Sequence, residues 1–268
     1  VDKVGYFFIT KGEYMSNDFD LIVDKFSRDK EYINVYPLGD LHIGSDEFDL
    51  DKWKRWKQMV MNDPNSVIVT IGDLVDNGLR NSIGNPFEQT MRPREQKEWL
   101  AKELRPMADK ILVGVQGNHE HRTSKVSDGC AMRDVMFLLG IEDRYRENAG
   151  FLKIALGSKS HDRQWTYTFA LFHGASKFKT RVMGYAIDGM DALITGHDHQ
   201  PQSYFPAKIV IDSKNETVSM KGFTRLVVSP FLKMGGYGMK AMYEPQDHTK
   251  IPIIRLDGKK KDVNVLWV

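Results

Sequence analysis

The chain has 268 residues, with 38 Lys and Arg against 36 Asp and Glu, eight His and a single Cys. That length can bury a large core, and 41% hydrophobic with 28% charged residues excludes a disordered chain. One cysteine excludes an intramolecular disulfide and a cysteine-based metal cluster, and a net charge of +2 falls short of the basic excess of a dedicated nucleic-acid binder. No apolar run reaches the roughly 18 residues of a membrane span. The first residues also lack the basic and apolar regions of a signal peptide. Together with the cysteine count these features lead to the expectation of a cytoplasmic protein with no membrane partner.

Charge is uneven along the chain. Residues 1–65 carry 9 Lys and Arg against 13 Asp and Glu, whereas residues 202–268 carry 11 against 6. Short β-branched and aromatic runs predict strands at 6–10, 33–38, 67–71, 111–115, 165–172, 192–195 and 226–228. Phe19, Ile22, Val23 and Phe26 repeat at helical spacing and predict a short helix over 17–27. Trp53, Trp56 and Val60 predict a second over 47–62, and Pro93 opens a third that carries Trp99, Leu100 and Leu104. A fourth is expected from Ser127 as N-cap to Gly140. Asp257-Gly258 predicts a hairpin turn. Alternating strands and helices imply an α/β protein, with a sheet covered by helices and a strand-rich part from about residue 201. The longest stretch without a pattern is 78–91.

Polar residues gather where these strands end. The five turns read Gly39-Asp40-Leu41-His42, Gly72-Asp73-Leu74-Val75-Asp76-Asn77, Gly117-Asn118-His119-Glu120, His173-Gly174 and Gly196-His197-Asp198-His199. Open α/β sheets place their sites at the carboxyl ends of strands. Taken singly, each turn is an ordinary polar loop. Taken together, so many polar side chains are costly to bury unless something pairs them. A pair of divalent cations does so. Asp, Asn and His ligands without Cys suit manganese, iron or zinc.

The ordered set Asp40-x-His42, Gly72-Asp73, Gly117-Asn118-His119-Glu120, His173 and Gly196-His197-x-His199 resembles the calcineurin-like metallophosphoesterase superfamily over about residues 35–200. The resemblance implies a two-sheet β-sandwich flanked by helices and two divalent metal ions. Manganese is the first expectation, with iron, zinc, nickel or cobalt as alternatives. It assigns Asp40, His42 and His199 to one metal and Asn118, His173 and His197 to the other, with Asp73 bridging them. On this reading residues 1–30 form a strand–helix extension packed on a metallophosphoesterase domain of residues 31–268. Two cations sharing a water lower its pKa and supply a bridging hydroxide near neutral pH. His119 is then the candidate to protonate the leaving group, and Asp76 the carboxylate that orients it. Asn77 stands where the related protein phosphatases carry a phosphate-clamping arginine. The nearest core comparison is the phosphodiesterase and nuclease branch of double-strand-break repair.

Basic residues follow several of the motifs. Arg80, His121, Arg122, Lys177, Lys179 and Arg181, together with Asn77, are candidates to contact substrate phosphates. Phe87, Phe178 and Tyr237 are candidates to stack on bases. The leading expectation is a phosphodiesterase acting on DNA, RNA or a nucleotide diester. A phosphomonoesterase acting on phosphoprotein or small esters and an inactive metal-binding scaffold are the alternatives. Homo-oligomerisation or a partner subunit is left open. His161, His248 and Cys130 have no partner motif and read as structural or surface residues.

Overall fold

The computed structural model describes residues 19–80, 82, 89–174, 183–233 and 245–268. The strand expected at 6–10 lies outside the described residues, as do Phe87, Lys177, Phe178, Lys179, Arg181 and Tyr237. In chain order the first elements are β1 (Leu21–Lys25), β2 (Tyr32–Leu38), α1 (Leu50–Asn62), β3 (Ser66–Thr70), α2 (Pro93–Leu104) and β4 (Ile111–Val115). Next come α3 (His121–Ser127), α4 (Ala131–Leu139), β5 (Tyr145–Arg146), β6 (Ala149–Ser160), β7 (Arg163–Phe172) and β8 (Ala192–Thr195). The last are β9 (Gln202–Tyr204), β10 (Ala207–Asp212), β11 (Thr217–Gly222), β12 (Thr224–Val227), β13 (Pro252–Asp257) and β14 (Val263–Trp267).

Two six-stranded sheets make the sandwich, in the orders β14-β13-β2-β3-β4-β5 and β1-β6-β7-β8-β12-β9. Strands β2, β3, β4 and β5 run parallel, as do β7, β8 and β12. Side chains alternate across β2: Ile33 and Val35 enter the core between the sheets, while Tyr36 and Leu38 meet the helices. The helical layer is held by period. Trp53, Trp56 and Val60 of α1, Leu100 and Leu104 of α2, and Met132, Val135 and Met136 of α4 are all buried against the first sheet. Asp49 caps α1 by accepting from the Asp51 and Lys52 amides, and Pro93 sits in the first turn of α2. Among the described residues, no helix is long and apolar enough to cross a membrane.

Two local expectations are corrected. The described part of the helix expected over 17–27 is a strand, because β1 pairs in parallel with β6, Ile22 opposite Leu152 and Asp24 opposite Ile154. The apolar spacing there fits a helix, yet an open edge of β6 supplies the backbone partners that an isolated short helix lacks. The helix expected from Ser127 begins later. Ser127 ends α3, Asp128 turns left-handed at φ 53°, and Cys130 caps α4 through its sulfur. Gly140 closes α4 at φ 76°, as expected. The hairpin expected at Asp257-Gly258 is present between β13 and β14; its turn runs to Val263, and the Asp257 carboxylate accepts from the Lys259 and Lys260 amides. Strand β6 was not expected at all. It is covered on both faces over much of its length, so it lacks the polar–apolar alternation that marks a half-buried strand.

Candidate metal centre

Parallel strands bring their carboxyl ends to one side, and the five polar turns meet there. Backbone bonds knit the first two turns together: Asp40 N donates to Gly72 O and His42 N to Asp73 O, both at 3.0 Å. The second sheet is tied on by its own turns. The His197 amide donates to both carboxylate oxygens of Asp40 at 3.1 Å, and His173 Nδ1 donates to Ile71 O at 2.8 Å.

This arrangement gathers the expected ligands into two adjoining groups. Asp40, His42 and His199 form one, and Asp73, His173 and His197 the other. Asn118 Oδ1 lies 3.0 Å from His173 Nε2 and 2.8 Å from His197 Nδ1, so the amide joins the second group. Asp73 lies between them, with Oδ2 at 3.1 Å from His173 and 4.0 Å from His42. Asp40 and Asp73 are 0% and 2% exposed, whereas Asn118 is exposed and His197 and His199 are half-buried. The pit therefore has a buried acidic floor and an open mouth.

The donor set fits bound cations. Because His173 Nδ1 gives its hydrogen to Ile71 O, Nε2 faces two acceptors, Asp73 Oδ2 and Asn118 Oδ1, and needs a proton or a cation between. His42 Nε2 likewise faces His199 Nε2 at 3.1 Å, nitrogen against nitrogen. Acceptors so placed repel unless a proton or a metal sits among them. Ligand atoms sharing a cation through bonds of about 2.1 Å stand roughly 3–3.5 Å apart, and the separations here run from 2.8 to 4.0 Å around that value.

The turns achieve this by adopting an unfavourable backbone. Asp40, His42, Asp73, Asn77, His197 and His199 all have φ between 47° and 71°, the left-handed region that residues with a Cβ avoid. Such conformations cost about 1–3 kcal/mol each and gather at functional sites. The glycines serve mainly another purpose. Gly72 is itself left-handed at φ 85°, but a Cβ on Gly117 would fall 2.1 Å from Asp73 Oδ1. That glycine is an access route for the carboxylate and not a turn requirement.

Glu120 was read only as part of a motif, and the structure gives it a role. Its fully buried carboxylate accepts from the amides of Asp73, Leu74, Val75 and Gly117 at 2.7–3.1 Å. Burial and then the charge of Asp73 raise its pKa, opposed by these N–H groups. It clamps the second turn to the third. His248, expected as a structural or surface residue, lies with its Nε2 3.1 Å from the carbonyl of His199. Neither residue has a sequence signal of its own, because each acts on backbone atoms.

His119 Nδ1 is 3.1 Å from Asp76 Oδ1 and 2.9 Å from Asp76 O, and Arg122 presents a guanidinium nitrogen 2.9 Å from Nε2. Burial disfavours the charge on His119, but Asp73 and the bond to Asp76 outweigh it and raise its pKa. Asp76 also stands 3.7 Å from His42 Nδ1, so one carboxylate faces both rings. Asn77 is a correction. Its side chain is 2% exposed and is spent on His119 O and Thr123 Oγ1, so it braces α3 and does not reach substrate. Arg80 is exposed, and His121 stands beside the site with Nδ1 3.2 Å from Ser124 Oγ. Cys130 is structural, bonded to Gln116 and Tyr145.

The model of the family described as calcineurin-like phosphoesterase matches residues 33–201, which hold all five turns. The chain belongs to this family. It is therefore a metal-dependent phosphoesterase by family and by its clustered ligands. Among solved structures it is similar to a metallophosphoesterase from Sphaerobacter thermophilus, at 14% identity, TM-score 0.42 and coverage of 88% of each chain. A conserved uncharacterized protein from Streptococcus pneumoniae is similar at 11% identity and TM-score 0.39, covering 88% of this chain and 90% of that one. A serine/threonine phosphatase from Saccharomyces cerevisiae is similar at 11% and 0.36, covering 91% and 82%. No curated protein matches the sequence.

Two predictions follow from this phosphoesterase site. Glu120→Gln turns an amide N–H₂ against backbone N–H donors and should cost about 2–4 kcal/mol in urea unfolding; a loss below about 1 kcal/mol would show that the clamp is dispensable. The second concerns protons. Burial works against charge on His173, but the Asp73 carboxylate outweighs it and pushes its pKa up to about 10. His173 thus holds a proton at pH 7 that an arriving cation must displace. Metal affinity should rise with pH, about tenfold per unit for one proton, up to roughly pH 10. Titrating Mn²⁺ into weakly buffered metal-free protein should release acid, and uptake without proton release would contradict this protonation state.

Proposed function

We propose that this phosphoesterase is a dinuclear phosphodiesterase acting on nucleic acid or a nucleotide diester. The supporting observation is that the ligand cluster is flanked on two sides. Toward the first group lie His119, Asp76 and Arg122, with the His119 and His42 rings 4.4 Å apart. Beside the second group opens a cavity of about 350 Å³, bordered by Asn118 and His173 and walled by Phe172, Met183, Leu193 and Thr195. Register explains the wall: Phe172 pairs with Thr195, and Leu193 alternates onto the same face of β8. A phosphodiester carries two organic substituents, and this site has room and chemistry for one at each side. A monoester carries only one.

In this reading Asp40, His42 and His199 hold one divalent cation, Asn118, His173 and His197 the other, and Asp73 both. Manganese is proposed because the set mixes oxygen and nitrogen donors without sulfur. The cations, when bound, supply Lewis acidity toward the phosphoryl oxygens and an activated water. The chain's own residues do the rest. Asp76 fixes the His119 hydrogen on Nδ1, which leaves Nε2 facing Arg122. A phosphate oxygen draws the Arg122 guanidinium away by forming a charge-assisted bond. Nε2 is then free to carry a proton, and the Asp76 carboxylate on Nδ1 favours the charged ring. That proton meets the departing alkoxide.

Comparison of p-nitrophenyl phosphate with its bis-p-nitrophenyl diester in Mn²⁺ should show clear preference for the diester, followed by cleavage of a dinucleotide or single-stranded DNA; monoester preference overturns the reading. His119→Ala should retain metal while slowing the reaction most for poor leaving groups. Equal slowing across leaving groups would make His119 a general electrostatic element and not the acid.

A further inference from the structure

Strands β10 and β11 belong to neither sheet of the sandwich. They form a two-stranded sheet of their own, inserted between β9 and β12, which pair with each other. The Phe223 amide closes the base by donating to Pro206 O at 3.0 Å. Register sets Ile209 opposite Met220 and Ile211 opposite Val218, and the period of two places these four on one face. They are exposed by 74, 79, 75 and 69%, and Phe205, just ahead of β10, by 68%. On the other face β10 is half-buried while β11 stays exposed. Lys208 bonds the carbonyl of Ile187, with its ammonium 5.9 Å from the centre of the Phe223 ring.

The apolar face is thus offered to solvent. Four large apolar side chains exposed by two thirds or more amount to several hundred Å², within the roughly 300–600 Å² of the largest patch on a typical monomer. A standard interface takes roughly 800 Å² from each partner, so this face would form the apolar centre of a contact completed by a polar rim. An isolated two-stranded hairpin is also only marginally stable in water, so covering this face would steady it.

We propose that this face is a homodimer interface, in which two copies of the chain pack their β10–β11 surfaces together about a two-fold axis. A second copy is the fitting occupant for three reasons. A ribbon face built from equivalent rows is complementary to itself under a two-fold, which an isologous contact requires. Its centre holds only Ile, Val and Met, the apolar character of homodimer cores. The hairpin's charges are mixed, Asp212 and Glu216 against Lys208, Lys214 and Lys221, so a copy meets no large field of like charge. None of these residues belongs to the metal centre, so the proposal is independent of the substrate.

Sedimentation velocity of the full chain between about 1 and 50 μM should give a species of twice the 30.8 kDa chain mass. Ile209→Lys with Val218→Lys should raise the dimer dissociation constant at least about a hundredfold, with circular dichroism and metal binding unchanged. Met220→Glu alone provides a second variant should the pair fail to fold. Lys221→Glu, on the opposite face, should leave the dimer intact. A wild-type monomer at 50 μM overturns the proposal, including one whose hairpin is protected from hydrogen exchange by another part of the same chain or that binds lipid vesicles. A dimer that survives both Ile209→Lys/Val218→Lys and Met220→Glu overturns it equally.

Discussion

Asp73 is a carboxylate that water barely reaches, 2% exposed, and it faces three imidazoles while accepting a backbone bond. A buried charge of this kind persists only when its surroundings oppose its protonation. Burial alone would raise its pKa, but His173 and then His119 hold it well below the usual carboxylate range. Each of those rings is fixed in turn by another partner, His173 through Ile71 O and His119 through Asp76. The site is thus an ordered chain of hydrogen bonds converging on one pair of oxygens. Displacing any ring changes the charge state of the carboxylate, which makes the turns mutually dependent.

The strain in those turns has the same origin. Six motif residues with a Cβ are held left-handed, and their local cost is met by contacts that do not themselves bind metal. Glu120 ties four amides. Asn77 braces the start of α3. Lys52, buried under the turn after β12, donates to Ser229 Oγ, Pro230 O and the carbonyl of His248, while Phe231 N donates to Asp40 O. Burial, followed by repulsion from Arg55, pushes the Lys52 pKa down to about 7. The polar residues behind the ligands therefore serve geometry, and several of them are as deeply buried as the core.

How much of this was legible in the sequence follows from what each signal encodes. The parallel strands of the first sheet are runs of Val and Ile closed by Gly-Asp or Gly-Asn, and such punctuation marks both the strand end and the ligand. The polar turns read from that punctuation accordingly meet at one side of the sandwich. Strand β1 was misread because Ile22, Val23 and Phe26 satisfy a helical period, and only the open edge of β6 decides between the two states. Asn77 was read as substrate-facing from its position in a motif, and its inward turn depends on a left-handed φ of 47° that composition does not reveal. Glu120 escaped because a carboxylate that binds amides depends on where the backbone goes, not on neighbouring residue types. The apolar row on β10 and β11 is plain in the sequence as alternation. Its exposure is not, since the same alternation describes a strand with one face in the core.

The ligands divide between the sheets in a way that bears on stability. Of the candidate ligands, the first sheet carries Asp40, His42, Asp73 and Asn118, and the second carries His173, His197 and His199. In each group, then, ligands from opposite layers of the sandwich meet, and a cation bound there would cross-link the two layers. The direct links already present, from the His197 amide to Asp40 and from His173 to Ile71 O, lie at the same end. The opposite end is closed differently, by the Tyr167 hydroxyl of the second sheet donating to Asp257 O and Lys260 O of the β13–β14 turn. Between the two ends the interior is apolar, and polar links run along its edges: Trp267 Nε1 of the first sheet donates to Ser203 Oγ of the second, and Arg144 joins Asp24 of β1 to Leu112 O of β4. Fixing the metal end is a structural task that the ligands perform in addition to any chemistry.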